Sequence, residues 1–256
     1  MRDRLKGRTV IVFGSATGIG AATVRRLVAE GARVCAADIN FAGAEALAKE
    51  LASEGADVFA VDVDISDEAS VNRAVAVAVD RFGGLEGAHV NAADLSVVRD
   101  DSDALAEDLA VFDRTIAVNL RGHLLCTRAV LPHFLQRGLG AIVYTSSGAA
   151  DFGSPTRPAY ACAKAGLQAL MRHVAACWGR DGVTANCVAP GPTDTPEKAT
   201  NGRWSPEMRA ALAAQTPNKR LGWVDDIAGV VAMLLSRDGE WINGQVYQVN
   251  GGNLMR

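Results

Sequence analysis

A five-residue run, Thr9 to Phe13, leads at once into Gly14-Ser15-Ala16-Thr17-Gly18-Ile19-Gly20 and then into a segment of helical pattern to about Glu30. No other stretch narrows the fold as much. Apolar and β-branched residues without polar alternation read as a strand buried on both faces, the condition of a parallel sheet. Glycines between such a strand and a helix let the backbone turn sharply and leave room for a ligand beside it. The helix N-terminus then presents unpaired N–H groups and a partial positive charge to an anion such as a phosphate. Tight turns use glycine for their own reasons, and the spacing Gly-x3-Gly-x-Gly is not the GxGxxG of the common dinucleotide fingerprint. The loop therefore takes its meaning from the rest of the chain.

Arg33 to Ala37 reads as a second strand with Asp38 at its end, twenty residues after Gly18. An acidic residue there meets an adenosine ribose in dinucleotide-binding α/β folds. Its carboxylate accepts from ribose hydroxyls and repels a 2′-phosphate, which favours NAD over NADP; the ordinary alternative is a cap for the following helix. The pattern repeats through a helix at Glu45–Ser53, a strand at Val58–Val63, a turn at Asp64-Ile65-Ser66-Asp67, a helix at Glu68–Phe82 and a strand at Gly87–Asn91. Alternation of this kind means βαβ units with right-handed crossovers.

Ala104 to Gln136 is a long helical stretch with Asn119 near its middle, and Pro132 should kink it or end its regular part. A fifth strand, Gly140–Thr145, runs into Ser146-Ser147-Gly148, and Pro158 can start the next helix. That helix carries Tyr160 and Lys164, four residues apart and so on one face. A free phenol has a pKa of about 10; a neighbouring ammonium should lower it and make the pair a proton donor and acceptor for an alcohol or alkoxide. The spacing also occurs by chance on many helices, so the pair needs the rest of the chain. From Tyr160 to Trp178 the helix is apolar nearly all round, which calls for cover on every side, most simply by a second subunit. A sixth strand, Val183–Val188, ends at Pro190-Gly191-Pro192-Thr193-Asp194-Thr195-Pro196, where ligands of α/β folds bind. Residues 196–218 are irregular, weakly helical between Pro206 and Gln215, and read as a substrate lid. A helix at Val224–Ser236 and a strand at Gly244–Val249 complete a seven-strand count.

The expected fold is therefore one α/β domain over residues 1–256: a doubly wound, parallel seven-stranded sheet with helices on both faces. A net charge of -3 argues against nucleic-acid binding. No apolar run of about 18 residues offers a membrane span, and Met1 to Arg8 lacks the apolar core of a signal peptide; the expected location is the cytoplasm. The five cysteines and four histidines have no metal-ligand spacing, so no metal is expected. The cysteines read as small buried thiols, with Cys162 turned away from the Tyr160/Lys164 face.

Together these residues resemble the short-chain dehydrogenase/reductase family, from about Lys6 to Gly252. The resemblance is carried by Gly14…Gly18-Ile19-Gly20, Asp64-Ile65, Asn119-Leu120-x-Gly122, Ser147 thirteen residues before Tyr160, Tyr160-x-x-x-Lys164, Pro190-Gly191-x-x-x-Thr195 and Gly244-Gln245…Gly251-Gly252. It implies a Rossmann-type fold and a hydride transfer between NAD(H) and a secondary alcohol or ketone. By it, Tyr160 is the general acid/base, Lys164 lowers its pKa and holds the nicotinamide ribose, Ser147 steadies the substrate oxygen, and Asn119 orders a water linking Lys164 to solvent. Gly14, Ser15, Thr17, Gly18, Ile19 and Gly20 surround the pyrophosphate. Asp38 and Ile39 take the adenine ribose side, Asp64 and Ile65 the adenine, and Asn91, Ala92 and Ala93 the other ribose. Pro190, Gly191, Thr193 and Thr195 hold the nicotinamide end.

Substrate contacts are expected from Ser147, Ala149, Phe152, Gly153, Tyr160 and Pro192, with Asp94, Leu95, Trp204 and Met208 around them. Asp151 is either a surface carboxylate or a partner for a substrate hydroxyl. A homo-oligomer, tetramer or dimer, is implied. The other class of function open to such a chain is a non-catalytic NAD-binding sensor or scaffold; the presence of Asn119, Ser147, Tyr160 and Lys164 together favours the enzyme. Two departures stand out: Phe13 where the family usually has Thr, and Val90-Asn91-Ala92-Ala93 where it has Asn-Asn-Ala-Gly. Phe13 and Val90 are expected to pack together in place of the lost polar struts.

Overall fold

A computed structural model describes residues 3–196 and 204–255. Seven strands form one parallel sheet: β1 (Thr9–Phe13), β2 (Arg33–Asp38), β3 (Val58–Asp62), β4 (Gly87–Val90), β5 (Gly140–Thr145), β6 (Val183–Pro190) and β9 (Val246–Val249), in the order β3-β2-β1-β4-β5-β6-β9. The chain winds outward from β1 to β3, then returns to place β4 on the other side of β1. Loops leaving the C-terminal ends of β1 and β4 diverge there and open a crevice, the usual ligand position of such sheets.

Strand alternation explains why the apolar runs are unbroken. Ile11 and Phe13 enter a core with α3 (Glu68–Phe82), α5 (His123–Arg137) and α6 (Pro158–Trp178). Val10 and Val12 enter the opposite core with α1 (Gly18–Ala29), α2 (Phe41–Ser53) and α8 (Val224–Leu235). Every residue of β1 is buried, as a sheet covered on both faces requires. Phe13 and Val90 are register partners of β1 and β4, and both belong to the first core. Apolar packing occupies the place of polar struts there, as the two departures from the family pattern led us to expect.

The long helical stretch differs from expectation in where it starts, and one of the two alternatives for Pro132 falls away. Helix does not begin at Ala104. Asp103 accepts from the backbone N–H of Leu105 (2.9 Å) and Asp108 from that of Ala110 (2.9 Å). The Asp103 side chain competes locally with helical pairing, while Asp108 caps the helix that follows, so α4 runs only over Leu109–Ile116. It passes into a π-helical turn, Ala117–Gly122, before α5 resumes. Pro132, in turn, does not end α5. The helix, packed on β5 and α3, continues to Arg137 and stops at Gly138 in the left-handed region (φ 62°).

One face of α6 stays outward: Cys162, Ala165, Ala169, Arg172, His173, Ala176 and Cys177 are exposed. Cys162 and Cys177 thus depart from the expectation of buried thiols, while Cys35, Cys126 and Cys187 meet it. A second, two-stranded parallel ladder pairs β7 (Thr193–Asp194) with β8 (Gly222–Trp223) and closes the base of the segment read as a lid. Of that segment, residues 197–203 lie outside the described residues. Its helix α7 (Pro206–Ala214) is tied back by Arg209 to both carboxylate oxygens of Asp194.

Candidate active site

A cleft of about 600 Å³ opens at the C-terminal ends of the strands. At its floor the glycine loop is drawn against β2. Gly14 N–H donates to the Ala37 carbonyl (2.8 Å) and Ala16 N–H to Asp38 Oδ2 (2.8 Å). Two glycines are dictated by contact. A Cβ on Gly14, already at φ 82°, would lie 2.5 Å from the Ala92 Cα, and one on Gly20 would lie 1.8 Å from the Gly14 carbonyl oxygen. α1 starts at Thr17 without a side-chain cap and without an acidic residue in its first turn. Thr17, Gly18 and Ile19 line the cleft there, so the helix dipole points at the space an anion would fill.

Asp38 also lines the cleft. It is not the cap of α2; that role falls to Asn40, whose Oδ1 accepts from the Gly43 N–H (3.2 Å). Asp38 Oδ1 accepts from the Asn40 N–H (2.8 Å), so both oxygens are oriented by backbone while a carboxylate keeps further acceptor capacity. The capping explanation for this residue falls away. Asp64 and Ile65 close the same end with Ile39. Asn91 braces the centre: its Nδ2 donates to the Gly14 carbonyl (2.9 Å), and its Oδ1 accepts from the Thr145 hydroxyl (3.0 Å). Ala92 and Ala93 continue the wall.

Ser147, Tyr160 and Lys164 meet at the opposite side, where Pro190, Gly191, Thr193 and Thr195 complete the lining. Lys164 is 1% exposed. Its Nζ donates to the Thr145 carbonyl (2.8 Å) and lies 5.7 Å from the centre of the Tyr160 ring. Burial lowers the Lys164 ammonium to about 8. Tyr160 departs from the sequence expectation: burial raises its phenol above the ordinary value, against the Ser147 hydrogen bond and the Arg157 charge, which pull it down. The protein alone therefore holds a neutral phenol. Desolvation is the largest cause of both shifts, and neither group figures among the causes of the other's shift despite the four-residue spacing.

Several expected residues stand elsewhere. Ser15 is fully buried beneath the loop, its hydroxyl without a partner among the described residues, and Gly20 packs on Gly14; neither lines the cleft. Ala149, Phe152, Gly153 and Pro192 lie outside the lining too, and Phe152 is 47% exposed. Asp151 Oδ2 accepts from Gln248 Nε2 (2.7 Å) and Gln168 Nε2 (3.2 Å), which gives it a structural part. Asn119 is fully buried and outside the lining. Its side chain clamps the Asp94 backbone, Oδ1 accepting from the N–H (2.8 Å) and Nδ2 donating to the carbonyl (3.1 Å). The Asn119 side chain therefore fastens the loop after β4 to the helix.

The cleft also holds residues the motifs did not single out. Arg114 donates to Asp94 Oδ2 (2.8 Å). Burial pushes the Asp94 carboxyl up, but hydrogen bonds from Ser96 and Arg114 outweigh it and hold it below its usual range. Thr145 joins Lys164, Asn91 and His89, whose Nε2 is 2.9 Å from its hydroxyl. Their signal in the sequence is only their position at the ends of β5 and α4. Among the described residues no cluster of His, Cys, Asp and Glu could hold a metal ion, and no helix is long and apolar enough to cross a membrane.

Comparison with known proteins agrees with this geometry. Residues 14–253 match the family model described as enoyl-(acyl carrier protein) reductase. An uncharacterized oxidoreductase of Mycobacterium tuberculosis is 39% identical over 249 residues, covering 97% of this chain and 98% of that one. Levodione reductase of Leifsonia aquatica is 34% identical, over 97% of this chain and 95% of its own. A crystal structure of levodione reductase superposes with a TM-score of 0.86, covering 96% of this chain and 97% of that chain at 34% identity. D-threitol dehydrogenase of Mycolicibacterium smegmatis is 34% identical over 97% of this chain and 94% of its own. With a cleft whose glycine cradle and uncapped helix start fit a dinucleotide, and with relatives matched along nearly its whole length, the chain belongs to the short-chain dehydrogenase/reductase family of oxidoreductases, whose dehydrogenases use NAD or NADP.

Proposed function

We propose that the protein is an NAD(H)-dependent dehydrogenase of secondary alcohols, or reductase of the matching ketones, with Tyr160 as general acid/base. The observation that carries this reading is the meeting of Ser147, Tyr160 and Lys164 in the same cleft that Asp38 and the glycine loop line. When bound, the dinucleotide supplies or accepts the hydride; the chain orients the reactants and moves the proton. Ser147 holds the substrate oxygen against the Tyr160 hydroxyl. In reduction the neutral phenol gives its proton to the developing alkoxide, and in oxidation it must first lose one. Lys164 supports the phenolate as its charge forms and binds the nicotinamide ribose.

Asp38 supports the choice of NAD, since a 2′-phosphate would meet its negative charge at the end of β2. Asn119 fastens the loop after β4 with its side chain and orders a water that links Lys164 to solvent. Ala149, Phe152, Gly153 and Pro192 flank the substrate once the segment 196–218 closes as a lid. The whole chain acts as one domain and assembles as a dimer or tetramer through its small-residue α6 face, in the cytoplasm. Apolar and small cleft residues suit a neutral, compact or cyclic alcohol.

The test is a panel of secondary alcohols and ketones assayed with NAD(H) and NADP(H), repeated with Tyr160→Phe. Turnover should vanish in that variant while NADH binding stays nearly intact. Near-normal turnover of Tyr160→Phe rejects Tyr160 as the acid/base; NADH binding without turnover of any alcohol or ketone by the wild type speaks for a sensor or scaffold.

A further inference from the structure

The helix that carries Tyr160 does not cap itself. α6 opens Arg157-Pro158-Ala159-Tyr160, and Arg157 at its cap position has φ 70° and offers no side-chain hydrogen bond. A serine, threonine, aspartate or asparagine at that position would serve the first turn directly; an arginine in the left-handed region does not. Pro158 has no N–H to satisfy. The next two N–H groups, those of Ala159 and Tyr160, both reach one carboxylate from far upstream. Asp101 Oδ1 accepts from Ala159 (3.2 Å) and Oδ2 from Tyr160 (2.8 Å), across 58 and 59 residues. Arg157 N–H donates to the Ser102 carbonyl (2.8 Å), which laces the same loop to the same turn.

Asp101 is only 3% exposed. Withdrawing a carboxylate from water is costly unless its partners replace the solvent, and here the helix N-terminus does so with two N–H groups and its dipole. The loop that delivers Asp101 starts at the cleft. Asn119 clamps the Asp94 backbone, Arg114 holds its carboxylate, and Leu95 lines the cleft. A continuous strap therefore runs from the substrate wall to the backbone of the acid/base.

We propose that Asp101 is a positioning residue for Tyr160. It fixes the first turn of α6 from outside the helix and so sets where the phenol hydroxyl stands relative to Ser147 and the substrate oxygen. A stabilising cap alone does not require this route; a carboxylate bonded to the Tyr160 amide and tethered to the cleft wall registers the acid/base against the substrate wall. The inference rests on the reading of Tyr160 as acid/base for its catalytic consequence, and on geometry alone for the placement.

The chain has three tyrosines, Tyr144, Tyr160 and Tyr247, so tyrosine labelled with ¹³C at the ζ carbon gives three signals, of which Tyr160→Phe identifies one. In Asp101→Ala, with NADH bound, the Tyr160 signal should shift or broaden while those of Tyr144 and Tyr247 hold. Turnover of cyclohexanone, counted per NADH-binding site, should fall about tenfold in Asp101→Asn, which keeps one acceptor, and about a hundredfold in Asp101→Ala, the penalty of an ångström-scale misplacement. KM for NADH should stay within about twofold, since the cofactor cradle is untouched. An unmoved Tyr160 signal in both variants overturns the proposal, as does a common shift of all three signals, which marks general destabilisation. Should Asp101→Ala fail to fold, Asp101→Asn decides on the same two readouts. Undiminished turnover in Tyr160→Phe sinks the acid/base reading, and the labelled signals then decide the placement alone.

Discussion

Two histidines in the interior should make this protein less stable in mild acid. His89 and His123 are both fully buried. Burial lowers His89 to about 3; burial first, then the charge of Lys164, takes His123 well below its ordinary value. The Nδ1 of His89 has no partner among the described residues, and the ring nitrogens of His123 make no well-formed hydrogen bond, although the backbone of Val118 and of Val90 lies close enough to pull its pKa up slightly against the larger effect of burial. In the unfolded chain each imidazole titrates near 6.5. The folded-state values are depressed, so the stability these groups allow is present above pH 6.5 and is lost as pH falls toward the folded values. Below 6.5 the unfolded state binds protons that the folded state refuses, and each histidine costs about 1.4 kcal/mol per pH unit. From pH 7 to pH 5 that is about 2 kcal/mol for His89, and at most about as much again for His123. Set against a typical total of about 5–15 kcal/mol, this is a large share.

The assay is urea unfolding at fixed protein concentration between pH 7 and pH 5, a window above that in which the paired carboxylates Glu30, Asp94 and Asp226, all held low in the fold, begin to protonate. His123→Leu should remove up to about half of the pH dependence, and His123→Leu with His89→Val nearly all of it. Stability of His123→Leu at pH 7 should be unchanged or higher, because an apolar side chain replaces a buried polar one without a well-formed hydrogen bond. A double variant that keeps the wild-type slope refutes the reasoning.

Asp38→Ala should relax the discrimination against NADP(H), read as the ratio of kcat/KM with the two cofactors; an unchanged ratio removes Asp38 from cofactor choice. Lys164→Met should abolish turnover yet raise the thermal midpoint, because the ammonium is buried at the expense of its hydration; a lowered midpoint would mean that its bond to the Thr145 carbonyl outweighs desolvation. Gly20→Ala places a methyl 1.8 Å from the Gly14 carbonyl oxygen, so the glycine loop must shift. NADH affinity, followed by fluorescence, should fall at least tenfold, and an affinity within twofold of wild type contradicts the contact.

The sheet was legible because its signals are local. β1 is an apolar run with glycine after it, and β2, β4 and β5 repeat the pattern within a residue or so of the observed ends. The cleft was legible for the same reason: in a parallel sheet the residues just past each strand collect at one edge, so Asp38, Asn91 and Ser147 had to line one cleft. Partnership across the fold was not legible. Nothing near Pro158 announces that its helix is capped by Asp101, and nothing near Asn119 that its amide is taken by the Asp94 backbone. The direction of the Tyr160 shift failed because spacing reports the nearby charge but not the desolvation opposing it. Burial of His89 and His123 was hidden likewise, since an imidazole in an apolar segment has no periodicity of its own.

The π-helical turn at Ala117–Gly122 has a consequence for how this stretch can change over time. A turn closed between residues i and i+5 holds one residue more than an α-helical turn. Loss of any single residue from it would let the helix wind regularly, and side chains on either side of the cut would swing by about 100° relative to each other. Asn119 would then leave the Asp94 backbone, and the strand-end loop would come loose. Here the chain can exchange side chains far more readily than it can lose one position of length.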